Sequence, residues 1–202
     1  MKALLLVDIQ RDFCPGGPMS VPRGDEVVPI SNYLIDSQKY DFVIATQDWH
    51  PKDHLFFASQ HKRKLAFDVK RLGGKKSILW PDHCVRGTSG ADFHSDLNIS
   101  GLDYIVKRGV DQKTDGYCAL RDASPNHRTG LDIYLWHNAI NEVDICGLGT
   151  DQCIRATIED FGSMMQGTKI RFIENASRGF LQDRVQFALG EIKSRGVEVV
   201  TV

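Results

Sequence analysis

Six short apolar runs recur along this chain, and between them the apolar residues fall at helical spacing. The runs are 2–7, 42–45, 104–106, 143–146, 170–173 and 197–202. Each is continuous rather than alternating, the pattern of a strand buried on both faces. Residues 27–37 carry Val27, Val28, Ile30, Leu34 and Ile35 at helical spacing. Segments 131–137, 154–165 and 185–195 also read as helices, the last with Phe187, Leu189 and Ile192 turned inward. Strands alternating with helices predict an α/β fold. The expected architecture is a three-layer α/β/α arrangement around a six-stranded, mostly parallel, Rossmann-like sheet with right-handed crossovers. A chain of 202 residues suits one domain with a full core. We expect a single domain over 1–202, with an insertion at about 49–97, because no repeat, linker or low-complexity segment interrupts it.

Bulk properties narrow the partners. A net charge of −1 gives no reason to expect nucleic acid or an anionic membrane. No segment approaches the ~20 apolar residues that span a bilayer. The first apolar run meets Asp8 and then Arg11-Asp12 too soon for a signal peptide, so it reads as a strand. The 5 cysteines, at 14, 84, 118, 146 and 153, are widely scattered and form no CxxC pair. That pattern favours reduced thiols in the cytoplasm and argues against structural zinc held by cysteines.

Two stretches break the strand–helix rhythm, at 49–97 and 109–130. Long irregular segments in a compact α/β domain are usually functional or disordered. Both follow strands, and open parallel sheets bind ligands at the carboxyl ends of their strands. Asp8, Asp48, Lys107 and Cys153 each fall at or just past such an end. Cys153 closes the small-residue turn Gly147-Leu148-Gly149-Thr150-Asp151-Gln152-Cys153 and opens a helical pattern. Unpaired N–H groups and the helix dipole there favour a thiolate, the nucleophilic form. A lysine beside it would lower the thiol pKa further, and a carboxylate could take the proton. Asp8, Lys107 and Cys153 are therefore candidate catalytic residues, although each alone has an ordinary structural reading. Asp48 and His50 alternate at a strand end and project to one side. With His54 they offer a carboxylate and imidazoles, a donor set suited to Zn, Mn or Fe. His83 lies too far along for spacing to enlist it. His61, His94, His127 and His137 read as surface or core residues.

With these residues in hand, the chain resembles the nicotinamidases of the isochorismatase-like cysteine hydrolase superfamily. The matching segments are 6–17, 45–54, 80–88, 106–109 and 147–157, in the family's order and across nearly the whole chain. The resemblance implies a catalytic triad of Asp8, Lys107 and Cys153. It implies one divalent metal, zinc first and Mn or Fe next, on Asp48, His50, His54 and His83. Phe13, Trp80 and Tyr117 would enclose a pyridine ring. A cis peptide between Leu148 and Gly149 would aim the N–H groups of Gly149 and Cys153 at an oxyanion. The implied reaction is hydrolysis of nicotinamide to nicotinate and ammonia through a cysteine thioester, within NAD salvage, with pyrazinamide-like analogues also accepted. A homo-oligomer is compatible with the resemblance.

There are departures. Gly149 stands where alanine is usual, and Cys118 and Leu120 stand where Ser and Phe are frequent. The basic segment 61–76 belongs to no motif and reads as a solvated loop. Competing readings are a ureidoacrylate or carbamoyl-sarcosine amidohydrolase, an isochorismatase, a non-catalytic nicotinamide-binding module, and a hydrolase whose metal activates water. Asp48, His50, His54 and His83 weigh against the first three, and the intact nucleophile set against the binding module.

Overall fold

In a computed structural model, which describes residues 1–122 and 128–202, six strands form one sheet. They are β1 (Lys2–Val7), β2 (Phe42–Asp48), β5 (Tyr104–Arg108), β6 (Glu142–Leu148), β7 (Lys169–Arg178) and β8 (Glu198–Val200), in the order β5-β2-β1-β6-β7-β8. Every pairing in that sheet is parallel. The expected α/β class is thus observed, with a sheet more uniformly parallel than anticipated. Helices α1 (Val27–Asp36), α2 (Leu131–His137), α3 (Arg155–Met164) and α4 (Gln182–Ser194) cover it. Alternate residues of β1 serve two cores. Leu4 and Leu6 pack with Val27, Val28 and Leu34 of α1. Ala3, Leu5 and Val7 pack with Leu135, Phe161 and Ile192 from the other three helices.

The helical face of α4 differs from expectation at one residue. Ala188, Leu189 and Ile192 are buried, but Phe187 is 66% exposed. At about 100° per residue, position 187 falls well off the stripe that 185, 189 and 192 define.

The segment 49–97 is more ordered than a solvated loop. Its basic part folds as an antiparallel hairpin of β3 (Val69–Leu72) and β4 (Lys75–Ile78). Short parallel bridges, His50 to Val85 and Phe57 to Trp80, fix its ends against each other. Among the described residues no helix is long and apolar enough to cross a membrane. His127 lies outside the described residues.

Candidate active site

The strand order reverses between β1 and β6: the chain builds leftward through β2 and β5, then rightward through β7 and β8. A switch point of this kind opens a crevice at the carboxyl ends of the two strands. Asp8 leaves β1 there with φ 51°. A non-glycine residue in this left-handed region is uncommon, and such strain concentrates at functional sites. Its carboxylate is buried, accepts a 2.5 Å bond from the Thr46 hydroxyl, and its N–H donates to the same oxygen at 3.1 Å.

Beyond β6 the chain reverses through Gly147 and Gly149, with φ of 123° and 78°, and enters a single π-helical turn, Thr150–Ile154, before α3. The Leu148–Gly149 peptide is trans, because no cis bond occurs among the described residues. The two glycines make the reversal without the expected cis geometry. The Gly149 N–H donates to the Arg178 carbonyl at 3.0 Å, so it is engaged in the sheet and is not the free oxyanion donor that was expected. Cys153 lies on the first turn, where helix N–H groups generally lack internal acceptors.

The cation beside Asp8 and Cys153 is Arg108, not Lys107. Lys107 is exposed, with its Nζ 4.0 Å from the centre of the Trp49 ring. Arg108, 1% exposed, is the next residue on β5, and successive strand residues face opposite sides. Its Nη2 donates to Asp8 Oδ2 in a very short bond and to Cys153 Sγ at 3.0 Å. Its Nε reaches Asp8 Oδ1 at 3.3 Å. Its Nη1 donates to the Gly116 carbonyl at 2.6 Å and lies 3.0 Å from Asp48 Oδ1. One planar fork therefore spans the nucleophile, the candidate base and a candidate metal ligand, a reach that a point ammonium lacks.

Burial and the neighbouring charges shift the titrating groups in different directions. Burial pushes the Cys153 thiol well above its ordinary value, against the pull of Arg108, and the carboxylates of Asp8 and Asp48 push the same way. That direction is opposite to the lowering that a helix terminus and a neighbouring cation favour at Cys153. Burial also raises Asp8, with Arg108 opposing it, so its carboxyl is a better proton acceptor than an ordinary aspartate. Asp48 shows the reverse balance. Burial would raise it, but Arg108 and His50 hold it below the usual carboxylate range.

Asp48 ends β2, and His50 and His83 converge on it. Ligand atoms of the three lie within 4.8 Å of one another. His50 Nε2 is 3.4 Å, and His83 Nε2 4.0 Å, from Asp48 Oδ2. The opposite ring nitrogens contact backbone oxygens, Nδ1 of His50 at Gly109 (2.9 Å) and Nδ1 of His83 at Pro81 (2.8 Å). Outer contacts of this kind fix imidazole orientation in metal sites. Gly109 is required for one of them: at φ 67° a Cβ there would lie 2.4 Å from His50 Cε1. His54 stands outside the converging trio, but its ring is 4.6 Å from that of His50. Its Nε2 is held at 3.0 Å by the Thr114 carbonyl, while its buried Nδ1 has no hydrogen-bond partner among the described residues. An orphaned buried nitrogen beside one carboxylate and two oriented imidazoles fits a borderline divalent ion.

The aromatic residues expected around a ring are gathered by a carboxylate that sequence reading did not single out. Asp115 accepts the Trp80 indole N–H at 3.0 Å and the Tyr117 hydroxyl in a very short bond, and the two rings meet edge-on. Phe13 packs edge-on against His83. Phe180, also unanticipated, packs edge-on against Phe13.

A buried Cys–Asp–Arg cluster thus sits at the switch point of a parallel α/β sheet. The isochorismatase domain model matches residues 2–202, and the chain belongs to that family. It is 39% identical to the nicotinamidase of Escherichia coli strain K12 over 180 residues, 88% of this chain and 83% of the relative. The fold matches the Acinetobacter baumanii nicotinamidase pyrazinamidase with TM-score 0.90 and 36% identity, covering 99% and 95% of the two chains. It matches a pyrazinamidase of Pyrococcus horikoshii solved in complex with zinc with TM-score 0.80 and 32% identity, covering 100% and 99%.

Proposed function

We propose that this chain hydrolyses nicotinamide to nicotinate and ammonia, acting in the cytoplasm in NAD salvage as one hydrolase domain, and that it also accepts pyrazinamide-like analogues. The observation that carries the reading is the contact of Arg108 with both Asp8 and Cys153, directly beside the Asp48–histidine cluster. The names of the relatives support the choice of substrate.

The steps follow from the chain's own groups. The Cys153 sulfur attacks the carboxamide carbon as Asp8 takes the thiol proton. Arg108 stabilises the sulfur's developing charge and holds the Asp8 carboxylate in line. We assign the Cys153 N–H as the donor to the developing oxyanion; one such donor is worth ~3 kcal/mol in other hydrolases. Asp8 then passes its proton to the leaving nitrogen, the C–N bond breaks, and ammonia departs from a thioester. Water attacks that thioester with Asp8 again as base, the C–S bond breaks, and the thiol is restored. Asp48, His50, His54 and His83 would hold one divalent ion, with zinc first and Mn or Fe next. When bound, such an ion supplies a Lewis-acid site for a pyridine nitrogen and so orients the ring. Phe13, Trp80 and Tyr117 wall the ring and keep water from it.

Ammonia release from nicotinamide by purified protein, with and without chelator, tests the reading. Turnover that falls on chelation and returns with zinc is expected. No release under either condition would refute it. A ureidoacrylate or carbamoyl-sarcosine amidohydrolase would instead turn over its own aliphatic amide and be indifferent to chelator.

A further inference from the structure

Asp151 lies two residues before the nucleophile and is 6% exposed. Its carboxylate reaches across to the loop after β7. Oδ1 accepts the Phe180 N–H at 2.9 Å, and Oδ2 the Leu181 N–H at 3.4 Å. Backbone amides that donate to an ionised carboxylate make strong local bonds. The backbone just before Phe180 packs too closely on its neighbours to carry a side chain. A Cβ on Gly179 would sit 2.7 Å from Asp151 Oδ1 and 2.4 Å from Val185 Cγ2. The turn that carries Cys153 therefore also fixes Phe180.

The ring so held has an inner and an outer side. Inward, Phe180 Cε2 lies 3.5 Å from the point that a Cβ on Gly149 would occupy, and Cys153 Sγ lies 3.6 Å from the same point. The ring edge and the sulfur flank one small gap, left by the missing side chain of Gly149. Outward, Phe180 joins Trp80, Met19, Phe67 and Leu181 around a cavity of about 340 Å³. Gln152, next to the nucleophile in sequence, lines it too. This is within the size range of small-molecule sites and is mostly apolar, as such sites are.

We infer that Phe180, positioned by Asp151, is a specificity-determining residue: it divides the ring pocket beside Cys153 from the outer cavity and so restricts the substrate to a small, unsubstituted aromatic amide. The inference rests on the amide-hydrolase reading. Shortening Phe180 joins the two spaces and admits a ring substituent, at the expense of contact with the unsubstituted ring.

The test compares kcat and KM for nicotinamide and for a phenyl-substituted nicotinamide. In Phe180→Ala, KM for nicotinamide rises several-fold with kcat little changed. The ratio of kcat/KM, substituted over unsubstituted, rises at least about tenfold, within the range that pocket shape commonly sets. Phe180→Leu moves the same ratio less, and it decides the matter if the alanine variant fails to fold. Asp151→Asn moves it in the same direction with metal content unchanged. A ratio that stays at the wild-type value in folded Phe180→Leu and Asp151→Asn overturns the inference. Wild-type protein that does not hydrolyse nicotinamide overturns the activity reading instead, and this inference with it.

Discussion

Arg108 and Lys107 show how much depends on one residue of strand register. Arg108 neutralises two buried carboxylates, Asp8 and Asp48, and touches the sulfur. Removing one partner of a buried ion pair leaves uncompensated charge and costs ~3–5 kcal/mol. Arg108→Met is therefore expected to lower unfolding free energy by about that amount and to reduce ammonia release to background. Lys107→Ala removes only an exposed cation–π contact worth ~0.5–1 kcal/mol and should keep near wild-type turnover. Assays of the two variants side by side decide the matter; a collapse of activity in Lys107→Ala alone would reverse the assignment. The sequence placed a cation at this strand end but not the face. The apolar run stops at Val106, and the two basic residues that follow are chemically alike. Only the pleat, which turns Val106 and Arg108 to the interior and Lys107 to solvent, separates them. Asp8, Asp48 and Cys153 were legible because each closes or follows its strand without such a twin.

At the scale of elements, another buried carboxylate ties strands together away from the site. Asp144 on β6 accepts bonds from Arg171 of β7 at 2.8 and 2.5 Å and from the Tyr40 hydroxyl at 2.8 Å, and pairs with Lys2 of β1 at 3.1 Å. Burial would raise its pKa, but these donors outweigh burial and lower it below the model-compound value of 3.8. A carboxylate depressed in the folded state contributes its full stability above its unfolded pKa and loses it as pH falls through the folded value. Stability should therefore decline below about pH 4 partly through this residue. Asp144→Asn should cost about 2 kcal/mol at neutral pH and flatten that acid slope, as read from urea midpoints across pH. A variant with an unchanged acid slope would remove Asp144 from the account. The strands themselves were readable because continuous apolar runs have few other uses. The hairpin of β3 and β4 was not, since its lysines and arginines leave no continuous apolar run to mark an exposed two-stranded ribbon.

Across the whole molecule, the candidate ligands tie the 49–97 segment to the sheet. Asp48 belongs to β2, whereas His50, His54 and His83 lie in that segment. An ion that binds only the folded arrangement stabilises it by mass action. Chelation is thus expected to speed amide hydrogen exchange within 49–97 while the β1 and β6 amides keep their protection. His54→Ala should lower bound metal per chain, as counted by elemental analysis. Uniform exchange changes, or full metal content without His54, would contradict the ligand set. His83 and Phe180 could not be read from spacing because they reach the site from far along the chain; Asp115 had no motif to mark it, and Asp151 lay within the nucleophile turn without any sign of its partner loop. His83, Phe180 and Asp115 are brought in by loops, and Asp151 by the helical turn after β6.

The central claim is that the Cys153 sulfur becomes acylated during turnover. Rapid acid quench of enzyme mixed with nicotinamide, followed by mass analysis of peptides, reads it directly. The account predicts a nicotinoyl group on the peptide containing Cys153, and neither adduct nor ammonia from Cys153→Ala. Ammonia released by that variant at the wild-type rate, with no acylated peptide in the parent protein, would contradict it.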